Sequence, residues 1–185
     1  MIDTPEANRE KASKIAINNI IQDNLLDEQS AGGNFPLWEK GQQGMAGVAG
    51  DDNLSGNSTE GGQHESHSYA VLNMHRPSNV DTKEILEPIL SFLTNEVASD
   101  MPVIWPIHPR TQARLKELGL REQATASKNL ILLHPIGYHK MLRFNMNARI
   151  MLTDSGGLQE ECCVLGTPCL TLRWNTERPV TLREH

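Results

Sequence analysis

Five short apolar runs, separated by segments with helical patterning, leave this chain few architectures to choose from. The runs are Tyr69–Met74, Val103–Ile107, Leu130–Leu133, Arg149–Thr153 and Pro168–Leu172. Each has the length of a strand and is apolar enough to be buried. Between the first two, Ile85, Leu86, Ile89, Leu90 and Leu93 recur at helical spacing. Asp81-Thr82-Lys83-Glu84 ahead of them is expected to form a capping box, and Pro88 to kink that helix or delay its start. Further helices are expected over Thr111–Leu118, Tyr138–Asn147 and Leu158–Leu165. Gly119 and Gly166 stop the first and last of these. Strands alternating with helices imply an α/β domain, a Rossmann-like parallel sheet with helices on both faces. Ligands of such sheets bind beyond the carboxyl ends of the strands. His75, His108, Ser155 and Arg173 all fall just past an expected strand end.

Ahead of this alternation the chain changes character. Pro5 to Leu26 is expected to be one helix, with Ala12, Ile15, Ile20 and Leu25 forming an apolar stripe of imperfect phase. From Asp27 to Ser66 the sequence is rich in Gly, Ser, Asn, Asp and Gln and has neither helical nor strand periodicity. Such a composition buries too little apolar surface to offset the ordering of the chain. The expected organisation is therefore a helix within 1–26, a disordered or loosely packed insertion over 27–66, and a sheet domain over 67–185. His64 and His67 have an H-x-x-H spacing, but a solvated linker carrying two histidines is the simpler reading, and no metal site is expected.

Charge and length exclude several classes. A net charge of −6 argues against nucleic acid or an anionic membrane as a partner, since both call for a basic face. No apolar run approaches the roughly 20 residues that span a bilayer. The acidic, polar start is unlike a secretory signal, so a cytoplasmic protein is expected. Cys162, Cys163 and Cys169 lack metal-ligand spacing and are expected to be small reduced core residues.

The segment with most chemistry in it is Asp154-Ser155-Gly156-Gly157-Leu158-Gln159-Glu160-Glu161. It joins the fourth run to a helix on which Leu158, Cys162 and Leu165 are expected to share the buried face. A helix start combines unpaired N–H groups with the positive end of the dipole and suits a phosphate. Gly156 and Gly157 remove the Cβ atoms that would hold an anion away from the backbone. Glu161, about one turn in, can accept hydrogen bonds from vicinal sugar hydroxyls. A phosphate next to a sugar is the pattern of a nucleotide-sugar site. A serine nucleophile fits less well, because Asp154-Ser155-Gly156 lacks the first glycine of the G-x-S-x-G elbow.

Four motifs in order carry a resemblance. They are His75-Arg76, Pro106-Ile107-His108-Pro109-Arg110-Thr111, Asp154 to Glu161, and Thr176-Glu177-Arg178-Pro179. Together they resemble the non-hydrolysing UDP-N-acetylglucosamine 2-epimerases. Met1-Ile2-Asp3-Thr4 also looks like that family's hinge into its second domain.

The resemblance implies one half of a twin-Rossmann, GT-B-like architecture, the half that binds UDP or UDP-N-acetylglucosamine. It assigns the diphosphate to Ser155, Gly156 and Gly157, the ribose to Glu161, a fixed positive charge to Arg178, and the uracil to Met141 where relatives often have phenylalanine. His75 is implied to assist the departure of UDP. His108 and Arg110 stay divided between lining the crevice and structural hydrogen bonding. Family members invert C2 by eliminating UDP and adding it back, without a cofactor. Their proton-transfer carboxylates come from an N-terminal domain with no counterpart here, so this chain alone is expected to be inactive. Homodimers are the family's expected assembly. One departure is that many members continue His-Arg-x-Glu-Asn, whereas this chain has His75-Arg76-Pro77-Ser78-Asn79. Two other classes share the architecture: the C-terminal half of a UDP-sugar glycosyltransferase, and a non-catalytic nucleotide-sugar-binding module.

Overall fold

The five apolar runs become the strands of one parallel sheet in a computed structural model that describes residues 5–26 and 69–173. The strands are β1 (Ala70–Asn73), β2 (Val103–Pro106), β3 (Leu130–Leu133), β4 (Ile150–Thr153) and β5 (Cys169–Thr171). Their spatial order is β3-β2-β1-β4-β5, the doubly wound order, and every pairing is parallel. Met1–Thr4, the segment 27–68 with His64 and His67, and the Thr176–Pro179 segment with Arg178 lie outside the described residues.

Alternate residues of β1 to β4 feed two separate cores, as the two-residue strand period requires. Ala70, Leu72, Val103, Trp105, Leu130 and Leu132 face one side and pack with Leu86, Leu90, Leu93 and Leu115. Val71, Ile104, Ile131, Leu133 and Met151 face the other and pack with Ile20, Ile21, Phe144 and Cys162. Helices thus cover both faces, and the expected Rossmann-like layering is what forms.

Among the described residues, the α-helices of four residues or more are α1 (Pro5–Ser13), α2 (Ile17–Asn24), α3 (Pro77–Val80), α4 (Lys83–Phe92), α5 (Pro109–Glu117), α6 (Arg121–Ala126), α7 (Tyr138–Asn147) and α8 (Gly156–Leu165). The expected single helix over Pro5–Leu26 is two. Its imperfect stripe was the sign of a break: Asn8 and Ala12 are buried from α1, while Ile20 and Ile21 restart the phase in α2. Ile15 closes a tight turn between them through its N–H to the Ala12 carbonyl. After α2, Leu25 bridges antiparallel to Leu133, and Leu26 N–H donates to the Leu132 carbonyl. Those bonds cover the outer edge of β3, which would otherwise expose unpaired backbone groups. Asn8 Oδ1 meets His139 Nε2 at 2.9 Å, and Arg143 Nε donates to the Ile15 carbonyl, so both N-terminal helices are tied to α7.

The expected capping box at α4 does not form. Thr82, not Asp81, is the N-cap and makes no side-chain cap bond, while the Asp81 carboxylate is engaged by Arg110 and Arg114 of α5. Charge-assisted bonds from two guanidiniums satisfy that carboxylate. Nor does Pro88 delay α4, which begins at Lys83 and runs through it; the irregularity comes later, as a π-helical turn over Leu93–Val97. Gly119 and Gly166 do stop their helices, with φ of 68° and 73°. That left-handed backbone is cheap only for glycine.

Candidate functional site

β1 and β4 lie side by side, yet the chain leaves β1 toward β2 and reaches β4 from the far edge at β3. Such a switch of direction opens a crevice beyond the carboxyl ends of the two strands. His75 and Arg76 follow β1 there, and Asp154 and Ser155 follow β4.

Asp154 knits the two strand ends together. Its carboxylate is wholly buried and accepts the backbone N–H groups of His75 and Arg76 and the side-chain amide of Asn79. His75 Nδ1 stands 3.3 Å from Asp154 Oδ1, which turns the other ring nitrogen away from the carboxylate. Arg76 Nε returns the connection by donating to the Asp154 carbonyl at 2.8 Å. Asn79 sits on α3, and its amide also reaches the Leu172 carbonyl, joining β5 to the cluster. The His-Arg-Pro-Ser-Asn continuation thus has an anchoring job that its sequence did not disclose.

Ser155 is the N-cap of α8 and makes no side-chain cap bond. Its own N–H is held by Thr153 Oγ1 at 3.0 Å, which fixes the turn without using the amides of the first helical turn. A Cβ on Gly157 would meet only Ser155 Oγ, at 3.9 Å. The protein itself therefore leaves room for a methyl group there.

The buried side of α8 is polar. Gln159, Glu161 and Cys162 are buried, whereas Leu158 and Leu165, expected on the inner face, are half-buried. Glu161 is 6% exposed, and Glu160 beside it is half-buried. Burial pushes the Glu161 carboxyl above its ordinary value, opposed by hydrogen bonds from the Asn145 amide and the Tyr138 hydroxyl. Asn145 Nδ2 donates to Glu161 Oε1 at 2.8 Å, and Asn145 Oδ1 accepts from the Cys162 thiol at 3.4 Å. Contact with the Cys169 sulfur and then burial hold that thiol well above its usual range, and all three cysteines are free. Neither Asn145 nor Tyr138 stood out in the sequence. A polar Asn directly after Phe144 on a core-facing helix was the one signal available.

The remaining candidates divide. Met141 lies on α7 half-buried against the second core. His108 caps α5 by accepting the Arg110 N–H, and its ring stands 5.5 Å from that of His75. Arg110 binds Asp81, and Thr111 donates to the Met74 carbonyl from a fully buried position. The Pro-x-His-Pro-Arg-Thr segment therefore brings His108 to the crevice and spends Arg110 and Thr111 on structure. Arg173, after β5, donates to Gln159 Oε1 at 3.1 Å. A groove of about 520 Å³ lined by Arg9, Arg143, Arg149 and Thr167 opens at the amino ends of β4 and β5, away from all of these residues.

The family model for UDP-N-acetylglucosamine 2-epimerase matches residues 47–185, more than half of the chain. The chain belongs to that family. Among its relatives, the UDP-N-acetylglucosamine 2-epimerase of Methanocaldococcus jannaschii is 45% identical over 115 residues, 62% of this chain and 31% of that protein. The UDP-2,3-diacetamido-2,3-dideoxy-D-glucuronate 2-epimerase of Pseudomonas aeruginosa is 33% identical over 109 residues, 59% of this chain and 29% of its own. A solved structure of the M. jannaschii epimerase superposes with a TM-score of 0.68 at 30% identity, covering 97% of this chain and 40% of that one. Another, in complex with UDP-GlcNAc and UDP, gives 0.57 at 43% identity over 64% of this chain and 33% of that one. This epimerase-family chain spans about a third of the length of the curated relatives it matches. Family membership also decides against the glycosyltransferase half. Among the described residues no helix is long and apolar enough to cross a membrane, and no group of His, Cys, Asp and Glu could hold a metal.

Proposed function

We propose that this chain supplies the UDP-binding half of a UDP-N-acetylglucosamine 2-epimerase acting in the cytoplasm. The observation that supports the reading is the joining of His75 to the turn before α8 by Asp154 at the β1–β4 switch point, with a buried glutamate, Glu161, farther along the same helix. The diphosphate lies against Ser155, Gly156 and Gly157, where first-turn amides and the helix dipole favour negative charge. Glu161 takes the ribose hydroxyls, and Met141 covers the uracil through its polarizable thioether. Arg178 adds a fixed charge to the diphosphate or sugar.

In the reaction, the C2 proton is removed while the C1–O bond to UDP breaks, and UDP adds back after reprotonation on the other face. The charge that develops is on the departing UDP, so the work done here is electrostatic. His75, oriented by Asp154, hydrogen-bonds the departing UDP. The carboxylates that exchange the C2 proton are contributed from outside the residues assigned here. A nucleotide-sugar-binding role without turnover uses the same site and differs only in the second of two assays.

Calorimetry with UDP tests the site. UDP binds the full chain, and Glu161→Ala or Ser155→Tyr weakens it about tenfold or more, the loss expected for a charge-assisted hydrogen bond. Equal affinity in all three proteins overturns the assignment. The chain alone forms no UDP-N-acetylmannosamine, and product formation without a partner overturns the division of labour.

A further inference from the structure

We propose that Asn145 and Tyr138 are positioning residues that hold the Glu161 carboxylate in the one orientation able to receive both hydroxyls of a ribose. The inference rests on the reading of Glu161 as the ribose ligand and adds to it the means by which the carboxylate is aimed.

Tyr138, Met141 and Asn145 fall at positions i, i+3 and i+7 of α7, so they share one face of that helix. The same face meets α8 at Glu161, through the Tyr138 hydroxyl at the helix start and the Asn145 amide two turns on. Asn145 is fully buried, so it reaches a ligand only through Glu161. A buried amide is costly unless both its ends are bonded. Here the donor end faces Glu161 Oε1 and the acceptor end faces the Cys162 thiol. That polarity fixes the amide: turned over, it would set an oxygen against a carboxylate. The Asn145 carbonyl is pinned as well, by the Thr167 hydroxyl at 2.9 Å.

A carboxylate offers about four lone-pair positions. Two fixed donors occupy part of that set, which leaves the rest for the vicinal hydroxyls of a sugar. The donors also decide the charge state. Burial alone drives Glu161 toward the neutral form, and the Asn145 and Tyr138 hydrogen bonds are what oppose it. A protonated Glu161 would turn one acceptor oxygen into a donor and lose the two-hydroxyl recognition. The Cys162 thiol also lies near this carboxylate and brings it no positive charge.

The test uses the full chain and two probes, UDP and 2′-deoxyuridine diphosphate, titrated calorimetrically across a pH series. Wild type prefers UDP by about tenfold, the scale of one charge-assisted hydrogen bond. Asn145→Ser and Tyr138→Phe shrink that preference to about threefold or less and move the loss of UDP affinity to higher pH. Tyr138 is 45% exposed, so its variant folds even if the buried one does not. A reading free of ligand comes from the carboxyl resonance of Glu161: its midpoint rises in Tyr138→Phe. If Glu161→Gln loses the preference while both partner variants keep it with an unmoved midpoint, the positioning role is overturned and the ribose reading stands. If Glu161→Gln itself keeps the preference, the ribose reading falls and takes the positioning role with it.

Discussion

The Asp154 carboxylate accepts the His75 backbone N–H, at 3.0 Å on one oxygen and 3.2 Å on the other, and stands 3.3 Å from the same residue's Nδ1. One side chain therefore fixes both the main chain and the ring of the histidine on the neighbouring strand. Asp154→Ala removes both acceptor oxygens from these donors. The expected cost is on the order of 3 kcal/mol, since several buried donors lose their partner at once. Urea denaturation measures it. A change below about 0.5 kcal/mol, the range of an ordinary surface substitution, would mean that Asp154 is not the joint between β1 and β4.

Gly157 separates a ligand's needs from the fold's. An alanine Cβ would touch only Ser155 Oγ, at ordinary van der Waals distance, and alanine is the better helix former. Gly157→Ala is expected to hold or raise stability by up to about 0.5 kcal/mol and to weaken UDP about tenfold by crowding the diphosphate. Thermal melts and calorimetry on the same protein read the two effects. An unchanged UDP affinity would show that no phosphate approaches this backbone.

Asp81 ties α5 to the turn before α4. Hydrogen bonds and charge from Arg110, then Arg114, hold its carboxyl below the ordinary 3.8, against a smaller opposing effect of burial. A lowered folded value means that the unfolded chain binds the proton more readily, so stability rises with pH through that window. Arg110→Ala is therefore expected to be less stable than wild type at neutral pH. The difference should close as pH falls below 3.8 toward the lowered folded value. Urea midpoints across the acid range check this, and a difference independent of pH would point to lost packing of the arginine stem instead.

Much of this molecule was legible in the order of its residues. Strand runs such as Leu130–Leu133 are continuous apolar blocks, and only a sheet covered on both faces buries such blocks. Gly119 and Gly166 marked helix ends because left-handed backbone selects glycine wherever it occurs. The Asp154–Glu161 turn was readable for a similar reason: a helix start is a local object, and its N–H groups and glycines are neighbours in sequence.

What only the tertiary structure decided lies in pairings across long separations. Asp81 looked like a cap for its own helix and instead binds Arg110 and Arg114, two guanidiniums that only the folded chain brings to it. Asp154 looked like part of a turn and proved to be the anchor of His75, Arg76 and Asn79, whose donors lie more than seventy residues away. Gln159 and Glu161 took the buried side of α8 from Leu158 and Leu165, since Asn145, Tyr138 and Arg173 were waiting there with donors. Periodicity reports how apolar a face is. It carries no record of which polar partner the opposite helix will present, and a buried carboxylate is stable only where that partner exists.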